Sequence, residues 1–285
     1  MFSRYSILQQ IENGSQGSVV TAFDNVNKEV VAIKIFDTSS SRGASGFSTE
    51  YIIQKILKDK SKRICAVTDS FQIPGKTGYL VMRKYEHDLF DHAFKGPVAL
   101  TSKQIQKIFK RICRGVRDLH RTGVAHLDLK PENILISSDN KPYICDFGCS
   151  YYFDVDTKKG RLTKRLRKTC FDRLKGRGTK NYAAPEVFNS TFFNPFCADI
   201  YSLGILLFAL YTGSFPVPKV NSKELDLTPI KQKINNRGFV LLSSMLEHHP
   251  EKRPQIESVV HHEWFVSKKL KKKTVDPATQ HRNTV

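Results

Sequence analysis

The sequence predicts an α+β protein in two lobes, a small β-rich one with a single helix and a larger, mainly helical one. Three observations carry that prediction. Hydrophobic spacing changes from strand-like runs to a helical period near Thr101. Turn-forming pairs separate the short apolar runs before that point. At 285 residues, 40% hydrophobic and 26% charged, the chain has the composition of a folded domain with a sizeable core, which excludes a disordered chain, a collagen-like fibre and a disulfide miniprotein.

Taken in order, residues 7–11, 19–23, 30–36 and 79–82 are rich in β-branched and aromatic side chains and read as strands. Asn13-Gly14, Asp24-Asn25 and Pro74-Gly75 supply the turns between them. Residues 49–58 have helical spacing and follow a Ser/Gly stretch, 39–48, read as a loose loop. Beyond Thr101, residues Ile105, Ile108, Phe109, Ile112, Cys113, Val116 and Leu119 fall on one face of a long helix. Thr101 and Gln104 stand in capping-box relation at its start, and Gly123 follows its end. A second helix, about 197–211, is apolar nearly all round and is expected to be buried between Pro195 and Gly213. Its longest apolar run, 202–211, falls short of the roughly 20 residues that cross a bilayer, and residues 1–11 lack the apolar stretch of a secretory signal. No membrane span is expected.

The six cysteines form no CxxC pair, so reduced thiols and an intracellular setting, cytoplasm or nucleus, are expected. The formal charge of +19 is concentrated. Residues 158–177 carry ten Lys/Arg and one Asp, and the run KKLKKK at 268–273 adds five more cations. The remainder sums to near balance, so any nucleic-acid contact is expected only through 158–177 and 268–273.

Several short motifs then occur in a fixed order. The glycines of Asn13-Gly14-Ser15-Gln16-Gly17-Ser18-Val19 let backbone N–H groups approach a phosphate, although such a turn alone is weak evidence. Val31-Ala32-Ile33-Lys34 ends an apolar strand on a lysine. His126-Leu127-Asp128-Leu129-Lys130-Pro131-Glu132-Asn133 packs a candidate base, a cation and an amide into eight residues. Asp146-Phe147-Gly148, Ala184-Pro185-Glu186, Asp199 in the apolar helix and Arg253 follow. Any one of these arises by chance; the ordered set does not.

With these motifs the chain resembles a eukaryotic-type serine/threonine protein kinase over residues 5–266, which implies a bilobal kinase-like fold with an N-lobe over about 5–84, a C-lobe over about 85–266 and a basic, disordered tail at 267–285. The resemblance implies ATP and Mg2+ as cofactors and protein substrates. Asp128 would accept or orient the substrate hydroxyl proton and Lys130 would steady the γ-phosphoryl group. Ile11, Gly14, Gly17, Val19, Ala32, Lys34, Met82 and Asp88 would hold the nucleotide, with Glu50 pairing Lys34. Asn133 and Asp146 would hold magnesium, whose preference for oxygen ligands they satisfy. Cys145 would line the back of the nucleotide site. Thr179, Glu186, Asp199 and Arg253 would shape the substrate platform and support the C-lobe. Lys130 two residues after Asp128, and Gly178-Thr179 ahead of Tyr182, match the serine/threonine group, and residues 199–216 are similar to calcium/calmodulin-dependent-type kinases.

The pattern departs from the family at three places. Glu12 replaces the first loop glycine, Gln16 the aromatic loop tip and Leu127 the arginine between His126 and Asp128. That arginine grips an activation-loop phosphate in the family, so activity that depends less on such phosphorylation, constitutive or under a partner's control, is expected. The segment 146–186 is long, at 41 residues, and its cations predict a preference for acidic or phosphorylated substrates. Thr163 and Thr169 are candidate phosphosites, and the protein is expected to be a monomer. A scaffolding pseudokinase is the first rival reading, countered by the presence of Lys34, Asp128, Asn133 and Asp146 together. A small-molecule phosphotransferase is the second, countered by the segment 178–186.

Overall fold

The computed structural model describes residues 4–14, 17–153, 155–156, 161–162, 174, 176–190 and 192–266. Its first lobe is an antiparallel sheet of β1 (Tyr5–Gly14), β2 (Gly17–Asp24), β3 (Glu29–Asp37), β4 (Val67–Ile73) and β5 (Thr77–Arg83), with one helix, α1 (Ser41–Leu57), between β3 and β4. The spatial order is β1-β2-β3-β5-β4. Because side chains alternate across a pleated strand, the sheet buries two separate sets. Tyr5, Val20, Ala22, Val31, Ile33 and Val81 occupy one face, closed by the ring stack of Phe71 on Tyr79. Ala32, Phe36, Leu80 and Met82 occupy the other, against Phe47 of α1.

Two elements differ from the sequence reading. The expected loop at 39–48 is mostly helix: α1 starts at Ser41, and Ser40 caps it by accepting the Gly43 N–H at 3.1 Å. Its low-propensity Ser/Gly composition hides a packing requirement, since a Cβ at Gly43 would overlap the Asp37 carbonyl oxygen. Strand β4 was not expected at all. It lies at the sheet edge, where Asp69, Ser70 and Gln72 interrupt the apolar pattern, and Asp69 accepts bonds from Arg4 and the Tyr5 hydroxyl at 3.1 and 2.8 Å.

The second lobe begins with β6 (His87–Asp88) and α2 (Ser102–Arg121), followed by β7 (Val124–Ala125), β8 (Ile134–Ile136), β9 (Pro142–Ile144), β10 (Tyr151–Tyr152), β11 (Val155–Asp156) and β12 (Arg161–Leu162). Helices α3 (Pro185–Asn189), α4 (Pro195–Thr212), α5 (Thr228–Lys231), α6 (Asn236–Met245) and α7 (Ile256–His261) complete it. The capping box of Thr101 and Gln104 is formed, and the expected apolar face of α2 is buried from Ile105 to Leu119. Helix α4 is the core helix. By length and composition it could cross a membrane, but residues 198–210 are all buried within the lobe, and Gly213 ends it in the left-handed conformation, φ 72°. Two small sheets, β6-β8-β9 and β7-β10, frame the loops that carry the candidate site.

Candidate active site

The loop after β7 is built on Asp199. From buried α4 its carboxylate accepts the N–H groups of His126 and Leu127, each at 2.8 Å, and the His120 ring nitrogen lies 2.9 Å away. Leu127 has φ 64°, a left-handed conformation that costs a leucine about 1 kcal/mol or more, and the paired bonds hold it there. The Leu127 side chain is buried, where a charged residue would lack solvent. His126 is also buried; its ring contacts the Cys145 carbonyl at 3.0 Å, and its own carbonyl accepts the Ser150 hydroxyl at 3.0 Å.

Asp128, next in the chain, is fixed from three sides. Its Oδ1 accepts the Thr179 N–H at 2.8 Å, its Oδ2 accepts the Asn133 amide at 3.0 Å, and the Lys130 ammonium stands 3.6 Å from Oδ2. Lys130 donates to the Thr179 hydroxyl at 3.0 Å, so Asp128, Lys130, Asn133 and Thr179 form one knot. Gly178 permits it: its φ is 85°, and a Cβ there would overlap the Leu127 carbonyl oxygen.

Lys34 reaches the same region from β3. Its ammonium lies 2.7 Å from Glu50 Oε2 on α1 and 2.9 Å from Asp146 Oδ1. Burial disfavours its charge, but Glu50 and then Asp146 outweigh that and hold its pKa above the ordinary lysine value. Burial raises the Glu50 carboxyl, with Lys34 acting in opposition. At Asp146 burial also pushes upward, yet Lys34 and the Gly148 N–H leave it below the usual carboxylate value.

The oxygen atoms suit magnesium. Asp146 Oδ1 takes Lys34 and the Gly148 N–H, and Asn133 turns its amide nitrogen to the Asp128 carbonyl and carboxylate. Asp146 Oδ2 and Asn133 Oδ1 thus remain as oxygen donors. Among the described residues no cluster of three His, Cys, Asp or Glu could form a metal cage. Mg2+ commonly binds through one or two protein oxygens plus substrate phosphates, so this sparse set fits it.

An apolar wall continues from these polar groups. Val19, Ala32, Met82 and Cys145 join one cluster with Leu80, Tyr85 and Leu135. Leu135 was missed in the sequence. Its signal is the Ile134-Leu135-Ile136 strand directly after Asn133, whose middle residue turns away from the two buried isoleucines. Gly14 and Gly17 are paired at the end of the β1–β2 hairpin, and a Cβ on Gly17 would overlap the Ile35 carbonyl oxygen. Ile11 is 55% exposed and sits where the β1–β2 register shifts. Asp88 is half-buried, with its carboxyl raised by burial, and its Oδ1 accepts the Asp91 N–H at 2.8 Å.

Glu186 and Arg253 meet as a buried bidentate pair, at 2.5 and 3.0 Å, and Arg253 donates further to the carbonyls of Glu247, Cys197 and His248. Gln16, Thr163, Thr169, most of 158–177 and all of 267–285 lie outside the described residues.

A lysine braced by a helix glutamate, an acid locked by an amide, and a second acid after a short strand define, together with this two-lobed fold, a protein kinase. The chain belongs to the protein kinase domain family, whose model matches residues 5–265. It is 29% identical over 279 residues to the CBL-interacting serine/threonine-protein kinase 8 of Arabidopsis thaliana, covering 92% of this chain and 58% of that protein. It is 28% identical to the maternal embryonic leucine zipper kinase of Xenopus laevis, covering 92% and 39%, and 27% identical to the serine/threonine-protein kinase grp of Drosophila melanogaster, covering 91% and 50%. The chain thus spans about half the length of these curated relatives, or less.

Proposed function

We propose that the chain is an ATP-dependent serine/threonine protein kinase that moves the γ-phosphoryl group of MgATP to protein hydroxyls. The knot of Asp128, Asn133, Lys130 and Thr179 is the observation that carries this reading. Phosphoryl transfer asks little covalent chemistry of a protein, so positioning and charge neutralisation dominate. Asp128 is held so that its carboxylate orients the attacking hydroxyl and receives its proton. Lys130 places a cation beside the transferred group. Lys34, kept protonated by its two carboxylates, holds the α- and β-phosphates. Ala32, Val19 and Leu135 cover the adenine. Asn133 and Asp146 hold magnesium, which when bound neutralises charge on the phosphates.

Two finer readings accompany this one. The ten cations of 158–177 favour protein substrates with acidic or phosphorylated flanks. Activity is independent of loop phosphorylation, because Leu127 offers no guanidinium to a phosphate, and Arg177 instead donates to the carbonyls of Cys149 and Ser150 at 3.1 and 3.2 Å. These charge-assisted bonds tie residue 177 to the stretch just after Gly148. The protein acts inside the cell, as a monomer.

The test is transfer of labelled phosphate from MgATP to a generic protein, with Asp128→Asn as control and phosphoamino-acid analysis of the product. Phosphoserine and phosphothreonine from the wild type alone are expected. No transfer, or equal transfer by the variant, would sink the proposal.

A further inference from the structure

The near balance of charge outside 158–177 and 268–273 conceals a segregation in space. Helix α2 carries Lys103, Lys107, Lys110, Arg111, Arg114, Arg117 and Arg121 against a single carboxylate, Asp118. At helical spacing they share one stripe, directly opposite the buried face of Ile105 to Leu119. The stripe runs about 27 Å at 1.5 Å per residue. Asp118 neutralises little of it, being shared among Arg63 at 2.9 Å, the Ser61 hydroxyl at 2.8 Å and Arg117 of the stripe at 3.4 Å. Those bonds draw the loop 58–63 alongside α2, which adds exposed Lys58, Lys60 and Lys62, and Arg111 secures it by donating to the Lys62 carbonyl at 3.3 Å.

Among the described residues, Lys58, Lys60, Lys62, Lys103, Lys107, Lys110, Arg111 and Arg114 have no carboxylate partner within 4.0 Å. Of the nearby acids, Asp139 pairs with Lys141, Glu257 pairs with Arg121 at the far end of the stripe, and exposed Asp59 offsets part of the charge of the loop's three lysines. Burial, and after it the neighbouring Arg114 charge, pushes the Lys110 ammonium below its ordinary value. Lys110 also donates to the Phe265 carbonyl at 2.9 Å, so the chain leaves the described residues beside this stripe and continues into KKLKKK at 268–273.

We propose that this outward face of α2, with the loop 58–63, is a docking surface for the phosphate backbone of a nucleic-acid duplex. Three properties favour that partner. No apolar side chain stands on the stripe to anchor a protein, and interfaces between proteins draw their affinity from such anchors. The apolar face of α2 is buried in the core, so the helix has nothing to insert into a bilayer boundary. Charge alone does suffice for duplex binding, because about 27 Å of duplex presents roughly 16 phosphates. The surface lies on the side of α2 away from the core that carries the candidate active site, so docking leaves the cleft open.

The test measures binding of the full chain to a labelled 24-base-pair DNA and to an RNA duplex across a salt series. The variant is Lys103→Gln, Lys107→Gln, Arg114→Gln in one chain, with its fold checked by thermal unfolding and its activity by a short peptide. Expected is a wild-type dissociation constant on the order of 1–100 µM, weakening with salt, and a slope of log affinity on log salt reduced by about 2.7 in the variant. Affinity should fall at least tenfold at low salt, with peptide phosphorylation unchanged. No duplex binding overturns the proposal, as does binding that the triple substitution leaves intact. Equal competition by polyglutamate of matched charge would assign the surface to an acidic protein. Binding to phosphatidylserine vesicles without binding to duplex would assign it to a membrane. Either result also overturns the proposal, and none of these outcomes depends on phosphoryl transfer.

Discussion

Asp199 holds Leu127 in a left-handed backbone conformation: its Oδ1 accepts the Leu127 N–H at 2.8 Å while φ at Leu127 is 64°. The other oxygen takes the His126 N–H, so one buried carboxylate sets the direction in which the chain enters Asp128. An amide in its place would present an NH2 group to one of two N–H donors. Asp199→Asn is therefore expected to lower kcat at least 100-fold and stability by about 1–3 kcal/mol. Peptide kinetics beside urea unfolding measures both. Lost stability with unchanged kcat would refute the positioning role.

Gly178→Ala tests the other side of the knot. The added Cβ has to displace the Leu127 carbonyl, and with it the Thr179 N–H that fixes Asp128. A tenfold or greater loss of kcat is expected, with nucleotide affinity within twofold of wild type by fluorescence titration. Weakened nucleotide binding would show that the disturbance spreads beyond the catalytic loop.

Arg253 is fully enclosed, and Glu186 is its only carboxylate partner among the described residues. Glu186→Ala strands that guanidinium in the core, at a cost of about 3–5 kcal/mol by precedent for broken buried pairs. Chemical denaturation should show a lower midpoint with an unchanged slope.

The first lobe carries an acid-sensitive cluster. Hydrogen bonds from Arg4 hold the Asp24 carboxyl well below its ordinary value, with burial opposing and the N–H groups of Val26 and Asn27 assisting. A depressed carboxylate contributes its full stability above the unfolded value, near 4, and loses it as pH falls toward the folded one. Asp24→Asn should be less stable than wild type at pH 7, with the gap narrowing on acidification below about pH 4. Thermal midpoints over a pH series measure it. A gap independent of pH would mean that shape, not charge, is what Asp24 supplies.

Phosphatase treatment is expected to leave most of the activity in place, and Arg177→Ala to lower kcat about tenfold, the scale of one charge-assisted bond at roughly 1.4 kcal/mol. The opposite pattern, activity lost to phosphatase and retained in the variant, would return control to phosphorylation.

Much of this architecture was legible because it is written in side-chain spacing. The period of Ile105 to Leu119 gave α2, and the ordered motifs named side chains that the fold brings into contact, Lys34 with Asp146 and Asp128 with Asn133. What stayed hidden rests on contacts that side-chain spacing does not record. The start of α1 depends on Gly43 fitting beneath Asp37, and β4 depends on partners for Asp69 that lie 64 and 65 residues away. Leu135 was hidden for a different reason: an apolar triplet does not announce which member turns toward a ligand. Summation of charge along the chain also does not record that α2 and the loop 58–63 are neighbours in the fold.

The small sheet carries two independent apolar layers, and α1 belongs to one of them alone. Detaching that helix would strip the Phe36 and Phe47 side while the aromatic lid of Phe71 and Tyr79 stayed shut on the reverse. Lys34 would then lose Glu50 and keep Asp146 as its carboxylate partner.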